Sequence, residues 1–243
     1  MMQSLTLLAT MGPTRPLDLF WPETLLSAAG HPSDVRRDTL AQRRDRTLAC
    51  PTDHAWRTVE GVALATERLV LRPAGERDLD FYFELRNRPE ILALPRREPR
   101  PRSEIEHQLR GWIQHWQEHG VGTWTVFDRK TDEPVGRVEF DPMGPGWAGL
   151  SPDAIEVGCV VHPTQWNRGI ATEATLLAVA DCFSRVGLDR LVALTTIDNK
   201  PSLRALEKVG MRRCGETQHE RDHSTYELFE LTPAPQGGAS ALE

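Results

Sequence analysis

Ala-Ile-Glu-Val-Gly-Cys-Val-Val-His-Pro-Thr-Gln-Trp-Asn-Arg-Gly-Ile-Ala-Thr-Glu-Ala, residues 154–174, is the stretch that decides how this chain folds. Its first third, Ile155 to Val161, is an apolar, β-branched run of strand length. A turn containing Pro163 follows, and Arg168-Gly169-Ile170-Ala171 reads as the opening of a helix. Gly169 and the small Ala171 let a ligand approach the backbone. The first N–H groups of a helix have no internal acceptor, and they point outward with the positive end of the dipole behind them. Helix starts of this kind hold phosphate groups. A tight strand-to-helix turn without a ligand uses the same residues, so the reading depends on what lies downstream.

Downstream, an apolar strand from Leu191 to Ile197 leads into Asn199-Lys200-Pro201-Ser202-Leu203-Arg204-Ala205-Leu206-Glu207-Lys208-Val209-Gly210-Met211. This reads as a short helix with Pro201 in its first turn and Gly210 as its stop. Together the two blocks resemble the GNAT N-acetyltransferases. The first is similar to motif A, in which (Gln/Arg)-x-x-Gly-x-(Gly/Ala) cradles the pyrophosphate of acetyl-CoA. The second is similar to motif B in the form Asn-x-x-Ser with Leu-Glu-Lys-x-Gly-(Phe/Met), as in the RimJ/RimL-like branch. Trp166, the Ala171-Thr172-Glu173-Ala174 run and the opening Thr66-Glu67-Arg68-Leu69-Val70-Leu71-Arg72-Pro73 resemble that branch as well. The resemblance covers roughly residues 62–231.

Length and composition agree with one domain and an appendage. The chain has 243 residues, of which 39% are hydrophobic and 26% charged, ordinary proportions for a water-soluble protein. Its net charge is −6, and only residues 130, 200 and 208 are Lys, so nearly all positive charge is Arg. No basic stripe interleaved with aromatics is visible, which argues against nucleic acid as a partner. The acidic balance mildly favours a cationic acceptor such as an amine. Cys50, Cys159, Cys182 and Cys214 show neither Cys-x-x-Cys nor zinc spacing, so no metal is expected, and a cytoplasmic location fits. The first residues lack the basic region and apolar core of a secretory signal, and no run approaches the ~20 apolar residues of a membrane span.

Residues 1–60 are rich in Pro, Arg and small residues without sustained periodicity, and read as an N-terminal extension. A poorly ordered tail, a start placed too far upstream and a family-specific arm all fit that composition. A domain over 61–232 follows, then a tail over 233–243. Within the domain a strand is expected at Arg68 to Arg72 and a helix from about Glu76 to Asn87, ended by Arg88-Pro89. The next helix opens on a predicted capping box, Ser103-x-x-Glu106, and buries Ile105, Leu109, Trp112, Ile113 and Trp116. Thr123 to Asp128 and Val135 to Asp141 read as a hairpin, and Pro142 to Pro152 as a flexible loop. The last strands fall near Met211 to Glu216 and Thr225 to Leu231. The order β-α-α-β-β-β-α-β-α-β-β is that of the fold the resemblance implies: α/β (α+β), a mixed, mostly antiparallel central sheet flanked by helices. In it, splayed central strands form the acetyl-CoA cleft.

The resemblance further implies acetyl transfer from acetyl-CoA to a primary amine by direct attack in a ternary complex. Backbone near Val160 and Val161 would receive the pantetheine arm. Trp166, Asn167, Arg168, Gly169, Ile170, Ala171 and Thr172 would surround the phosphates, with Asn199, Ser202 and Arg204 contributing from motif B. Glu173 looks structural, since its charge suits a helix start and repels the ligand. Glu156 is the candidate base: it alternates with Ile155, Val157 and Cys159, and apolar walls raise a carboxyl pKa into a useful range. Its plain alternative is a Glu on the polar face of the sheet. Asp222, His219 and His223 compete for the same role. For the acid, many GNATs carry a Tyr seven residues after the motif B Asn, where this chain has Leu206; Ser202 is the candidate instead, with helix capping as its plain alternative, and Tyr226 an outside choice. That missing Tyr keeps open a different class, an inactive acyl-CoA-binding sensor or interaction domain. The acceptor, a protein N-terminus or a small amine, and the state, monomer or homodimer, stay open.

Overall fold

A computed structural model describes residues 62–94, 97–221 and 223–233. The N-terminal extension with Cys50, nearly all of the C-terminal tail and Asp222 therefore lie outside the described residues. Eight strands build one sheet: β1 (Leu64–Ala65), β2 (Leu69–Pro73), β3 (Trp124–Asp128), β4 (Pro134–Pro142), β5 (Ile155–Val161), β6 (Leu191–Thr195), β7 (Arg212–Gln218) and β8 (Thr225–Leu231). Their order across the sheet is β1-β2-β3-β4-β5-β6-β8-β7. Every neighbouring pair is antiparallel except β5 and β6.

Among the described residues five α-helices flank the sheet: α1 (Leu79–Asn87), α2 (Pro89–Leu92), α3 (Arg102–His119), α4 (Ile170–Asp181) and α5 (Lys200–Val209). Strand alternation sorts the two faces. On β4, Val138 and Phe140 point into the main core, where α4 places Ile170, Ala174, Ala178 and Val179. The alternate residues, Arg137, Glu139 and Asp141, point to the opposite face. There α1 and α3 meet, and Tyr82, Ile105, Leu109 and Trp112 form a second, smaller core. The side of the sheet that carries charge is thus roofed by helices rather than left to water.

Several expectations shift in detail. The helix at 102–119 has no capping box: it starts at Arg102 with Pro101 as N-cap and no side-chain cap bond. Pro101 has its φ fixed at −64° and sits extended, while Asn87 clamps the backbone of Arg100, so the chain enters the helix before Ser103 is reached. The predicted helix stop at Arg88-Pro89 is real, yet Pro89 at once begins the single turn α2, a position that suits its missing N–H. The short β1 is an addition at the sheet edge. Past α4 the chain runs on as a π-helical turn, Cys182–Val186, which sequence periodicity does not reveal. The loop over 142–152 is tied down rather than loose: Ala148 N–H donates to Gln218 O, Thr217 Oγ1 to Ala148 O, and Glu220 N–H to Gly146 O.

Among the described residues no helix is long and apolar enough to cross a membrane. Among the same residues, no group of three or more His, Cys, Asp or Glu is arranged to hold a metal ion.

Candidate active site

The parallel pair β5–β6 is the break in an otherwise continuous ladder. β4 and β5 pair over seven residues, from Gly136↔Val161 to Pro142↔Ile155, whereas β5 and β6 meet at Glu156↔Val192 alone. Beyond that point the strands part, and the β5 backbone facing β6 has no strand partner. Alternation decides which groups these are. His162 N–H bonds Val135 O across to β4, so Val160, two residues back, also turns its N–H and C=O to β4. Cys159 and Val161 turn theirs toward the gap. The Val161 carbonyl is already taken by the Trp166 indole N–H at 2.8 Å, which leaves the Val161 N–H and both groups of Cys159 facing the opening. Trp166 is 38% exposed, so it both braces the strand end and borders the gap.

At the mouth of that gap α4 begins. Asn167 (φ 59°) and Gly169 (φ 79°) are both left-handed, and together they turn the chain so that the first N–H groups of α4 aim outward. Gly169 is the N-cap, and no side chain caps those donors. The N–H groups of Ile170, Ala171 and Thr172 therefore have no partner inside the helix. Arg168 is exposed beside them and hydrogen-bonds Gln165. Glu173 is drawn away from this opening: Arg68 and Thr66 both bond its carboxylate, Thr66 at 2.5 Å, and Arg68 also donates to the Arg168 carbonyl at 3.1 Å. Partial burial opposes its charge, but the Arg68 and Thr66 hydrogen bonds outweigh that and hold it below the usual Glu range. A cradle for an anionic, phosphate-bearing arm fits these residues.

On the far bank, Asn199 caps α5. Its Oδ1 accepts the Ser202 N–H at 3.3 Å. Ser202 is half-buried in the first turn of α5. Arg204 is exposed on α5, and Leu206 is half-buried against the main core, so no aromatic hydroxyl comes from this helix.

The base of the gap holds Glu156. The residue is half-buried, but its carboxyl is enclosed, and its pKa rises from the usual 4.5 to about 7. Burial is the main cause, nearby Glu139 adds to it, and the Leu194 N–H and Arg97 pull the other way. The cross-strand partner of Glu156 is Asp141, pushed up to about 8 by burial and by Glu139 and Glu156, against Arg137 and the Trp112 indole. Glu139 stands opposite Gly158, where a Cβ would lie 2.7 Å from Glu139 Oε1; only glycine leaves room for that carboxylate. Arg137 pairs with Glu139 at 3.0 Å and lies over the Trp112 ring, 4.8 Å from its centroid. Asp141, Glu139 and Arg137 had no part in the sequence reading. The signal for them was present: the β4 alternation puts these three charges on one face, the same face as Glu156.

His219 and His223 lie in the turn between β7 and β8. The His219 ring packs edge-on to Trp147 at 4.8 Å and accepts the Arg221 N–H, and Tyr226 also packs edge-on to Trp147, at 5.2 Å. His223 is exposed with a left-handed φ of 52°. The structure groups His219 and Tyr226 with the 142–152 loop through Trp147. Cys159 and Cys182 are pushed up to about 12 by burial, so neither is a thiolate nucleophile at neutral pH.

A parallel pair splayed beyond one bridge, with a helix N-terminus at its mouth and a carboxyl at its base, is the arrangement that the resemblance to the acetyltransferases leads one to expect. Residues 68–212 match the family model described as the acetyltransferase (GNAT) domain, and the chain belongs to that family. It is 28% identical over 156 residues to an uncharacterized N-acetyltransferase, YoaA, of Bacillus subtilis, spanning 63% of this chain and 84% of that one. It is 25% identical over 164 residues to an N-acetyltransferase 9-like protein of Nematostella vectensis, 65% and 81% of the two chains. Among solved structures, a GNAT-family acetyltransferase described as putative from Bordetella pertussis superposes with a TM-score of 0.60 at 24% identity, covering 70% of this chain and 99% of that one. An aminoglycoside acetyltransferase, AAC(6')-Ib, in complex with coenzyme A gives 0.57 at 18%, covering 68% and 94%. The ribosomal-protein-S5-alanine acetyltransferase of Vibrio fischeri gives 0.56 at 17%, covering 71% and 97%.

Proposed function

We propose that this chain is an N-acetyltransferase that binds acetyl-CoA in the β5–β6 gap and acetylates a primary amine, with Glu156 as the general base. The observation that carries the reading is the single Glu156↔Val192 bridge, which puts an enclosed carboxyl at the point where the strands part. Acetyl-CoA supplies an activated thioester. The uncapped N–H groups of Ile170, Ala171 and Thr172 suit its phosphates, with Asn167, Arg168 and Gly169 shaping that cradle and the exposed Arg204 of α5 as a further candidate phosphate ligand. The Val161 N–H is placed to hold the thioester oxygen as charge develops on it, the kind of interaction that contributes most to such reactions. Asn199 Nδ2 and the Ser202 hydroxyl are the candidates for the thiol end, with Ser202 donating a hydrogen bond to the departing thiolate, which takes its proton from solvent.

The amine reaches the carbonyl from the α1–α3 side, and holding it there supplies much of the rate. As N–C forms and C–S breaks, the amine proton passes to Glu156, directly or through one water. A carboxyl near pH 7 is well matched to that step. The RimJ/RimL-like motifs and the ribosomal-protein acetyltransferase among the structural neighbours support a protein N-terminus as acceptor; AAC(6')-Ib supports a small amine. The free thiols of Cys159, Cys182 and Cys214 accord with a cytoplasmic setting.

The test pairs a thermal-shift titration with thiol release. Acetyl-CoA at about a hundred times its Kd should add ~2.7 kcal/mol, visible as a rise in Tm. A rise together with amine-dependent thiol release supports the proposal. A rise without thiol release from peptides or small amines would favour the inactive acyl-CoA-binding class, and no rise at millimolar ligand removes both.

A further inference from the structure

The charge around Glu156 is arranged for more than an amine. Four guanidinium groups, of Arg86, Arg97, Arg100 and Arg137, neighbour three carboxyls, of Glu139, Asp141 and Glu156. Arg86 sits in the last turn of α1 and is only 9% exposed, yet its Nη1 has no hydrogen-bond partner among the described residues. Arg100 is fixed close by: its N–H donates to Asn87 Oδ1 at 2.8 Å and its carbonyl accepts Asn87 Nδ2 at 3.0 Å. Arg137, 5% exposed, is flattened on Trp112 and pairs with Glu139. Burial and the other three guanidinium groups lower Arg86 to about 10, which still leaves it charged at neutral pH. Meanwhile burial lifts Asp141 to about 8, so it keeps its proton at neutral pH, while Glu156, near 7, is only partly ionised. The local balance is therefore positive, and a cationic amine alone would be repelled. A buried guanidinium N–H left without an acceptor is costly and is ordinarily matched by an anion.

We infer that Arg86, with Arg100 and Arg137, forms a subsite for an anionic group carried by the acceptor itself, so that the acceptor is an amine bearing a carboxylate or phosphate a few bonds from its nitrogen. This rests on the acetylation reading above. The planar guanidinium fork receives either oxyanion through paired N–H bonds. With that anion offsetting the arginines, the amine end of the acceptor can lie beside Glu156 without the repulsion that a lone cation would meet.

The experiment uses matched acceptors: β-alanine against β-alaninamide, O-phosphoethanolamine against ethanolamine, and short peptides with Glu or Gln at the second position. Each is assayed for thiol release from acetyl-CoA and titrated by thermal shift. The charged member of at least one pair should lead by about tenfold in kcat/KM, as expected when a buried polar partner is left unmatched by the neutral analogue. Which pair leads separates carboxylate from phosphate, and free amine from peptide. Arg86→Gln should shrink that lead to within about twofold, chiefly through KM, with the acetyl-CoA Kd unchanged. Arg100→Gln, on the loop, should reduce it partly and guards against a folding defect in the buried variant. Equal use of charged and neutral members, or a lead that survives both substitutions, overturns the subsite. A thermal shift confined to charged members without thiol release keeps the subsite and removes the acetylation reading; no shift with any of them, while acetyl-CoA still binds, removes the subsite alone.

Discussion

Replacing Glu156 by Gln should make this protein more stable and less active at the same pH. The folded structure raises the Glu156 carboxyl from 4.5 to about 7, first by burial and then through Glu139. Between those values the folded chain binds more protons than the unfolded chain. The contribution of this group is therefore fully present below about pH 4.5 and is lost as pH rises through about 7. At about 1.4 kcal/mol per pH unit, the loss comes to about 3 kcal/mol by pH 8. Gln never ionises, and its Oε1 can still accept the Leu194 N–H, so the variant escapes the loss. For a domain of this size each kcal/mol moves Tm by about 2–4 °C. The variant should thus melt higher by several degrees at pH 8 and level with the parent near pH 4.5. Activity should move the other way, by about 10²- to 10⁴-fold, because the proton acceptor is gone. Paired melts across pH 4.5–8.5, with thiol release on the same samples, read both effects. A Tm difference independent of pH, or a variant less stable at pH 8, would refute the enclosure of the carboxyl; thiol release at the parental rate would remove Glu156 as base.

Three further outcomes follow from the same geometry. Gly158→Ala puts a Cβ at 2.7 Å from Glu139 Oε1, the movable end of a side chain, so Glu139 should swing aside and the kinetic pKa of Glu156 should fall below that of the parent; an unchanged pH–rate profile would show that Glu139 does not act on it. Asn199→Ala removes the N-cap of α5 and should cost about 0.5–2 kcal/mol in denaturant melts, and an effect on acetyl-CoA affinity at fixed stability would mark a ligand role as well. Among the described cysteines, iodoacetamide at pH 7.5 should label the exposed Cys214 and spare Cys159 and Cys182, whose thiols burial holds near 12; mass mapping of a labelled Cys159 would mean that the gap beside β5 opens to water.

The elements read most reliably were those whose pattern is complete in a short window. Ile155–Val161 and Thr225–Leu231 came out with their observed ends because buried strands between turn residues announce themselves locally. The same holds for α5, bracketed by Asn199 and by Gly210 with its left-handed φ of 90°. The start of α3 was misplaced because Ser103-x-x-Glu106 has the right residues, while the choice between it and Pro101 is made by the Asn87 clamp from another helix. The π-helical turn at Cys182–Val186 was invisible for a related reason, since its backbone bonding is settled by packing and not by side-chain period.

By itself, then, the sequence determined the family, the order of the main elements and the helix start that suits phosphates, and it singled out Glu156 as the candidate base. Each of these is written in neighbouring residues. What only the tertiary structure decided is the company that Glu156 keeps. Arg137, Glu139 and Asp141 alternate along β4 as any half-exposed strand would, and Arg86 is one charge in an ordinary helix. Which face meets water depends on where α1 and α3 lie, and the partner of Asp141 depends on a register set fifteen residues away in the chain, at Glu156. Burial and cross-strand proximity are properties of the assembled sheet, so the raised carboxyls and the unpartnered Arg86 Nη1 appear only once the roof is in place.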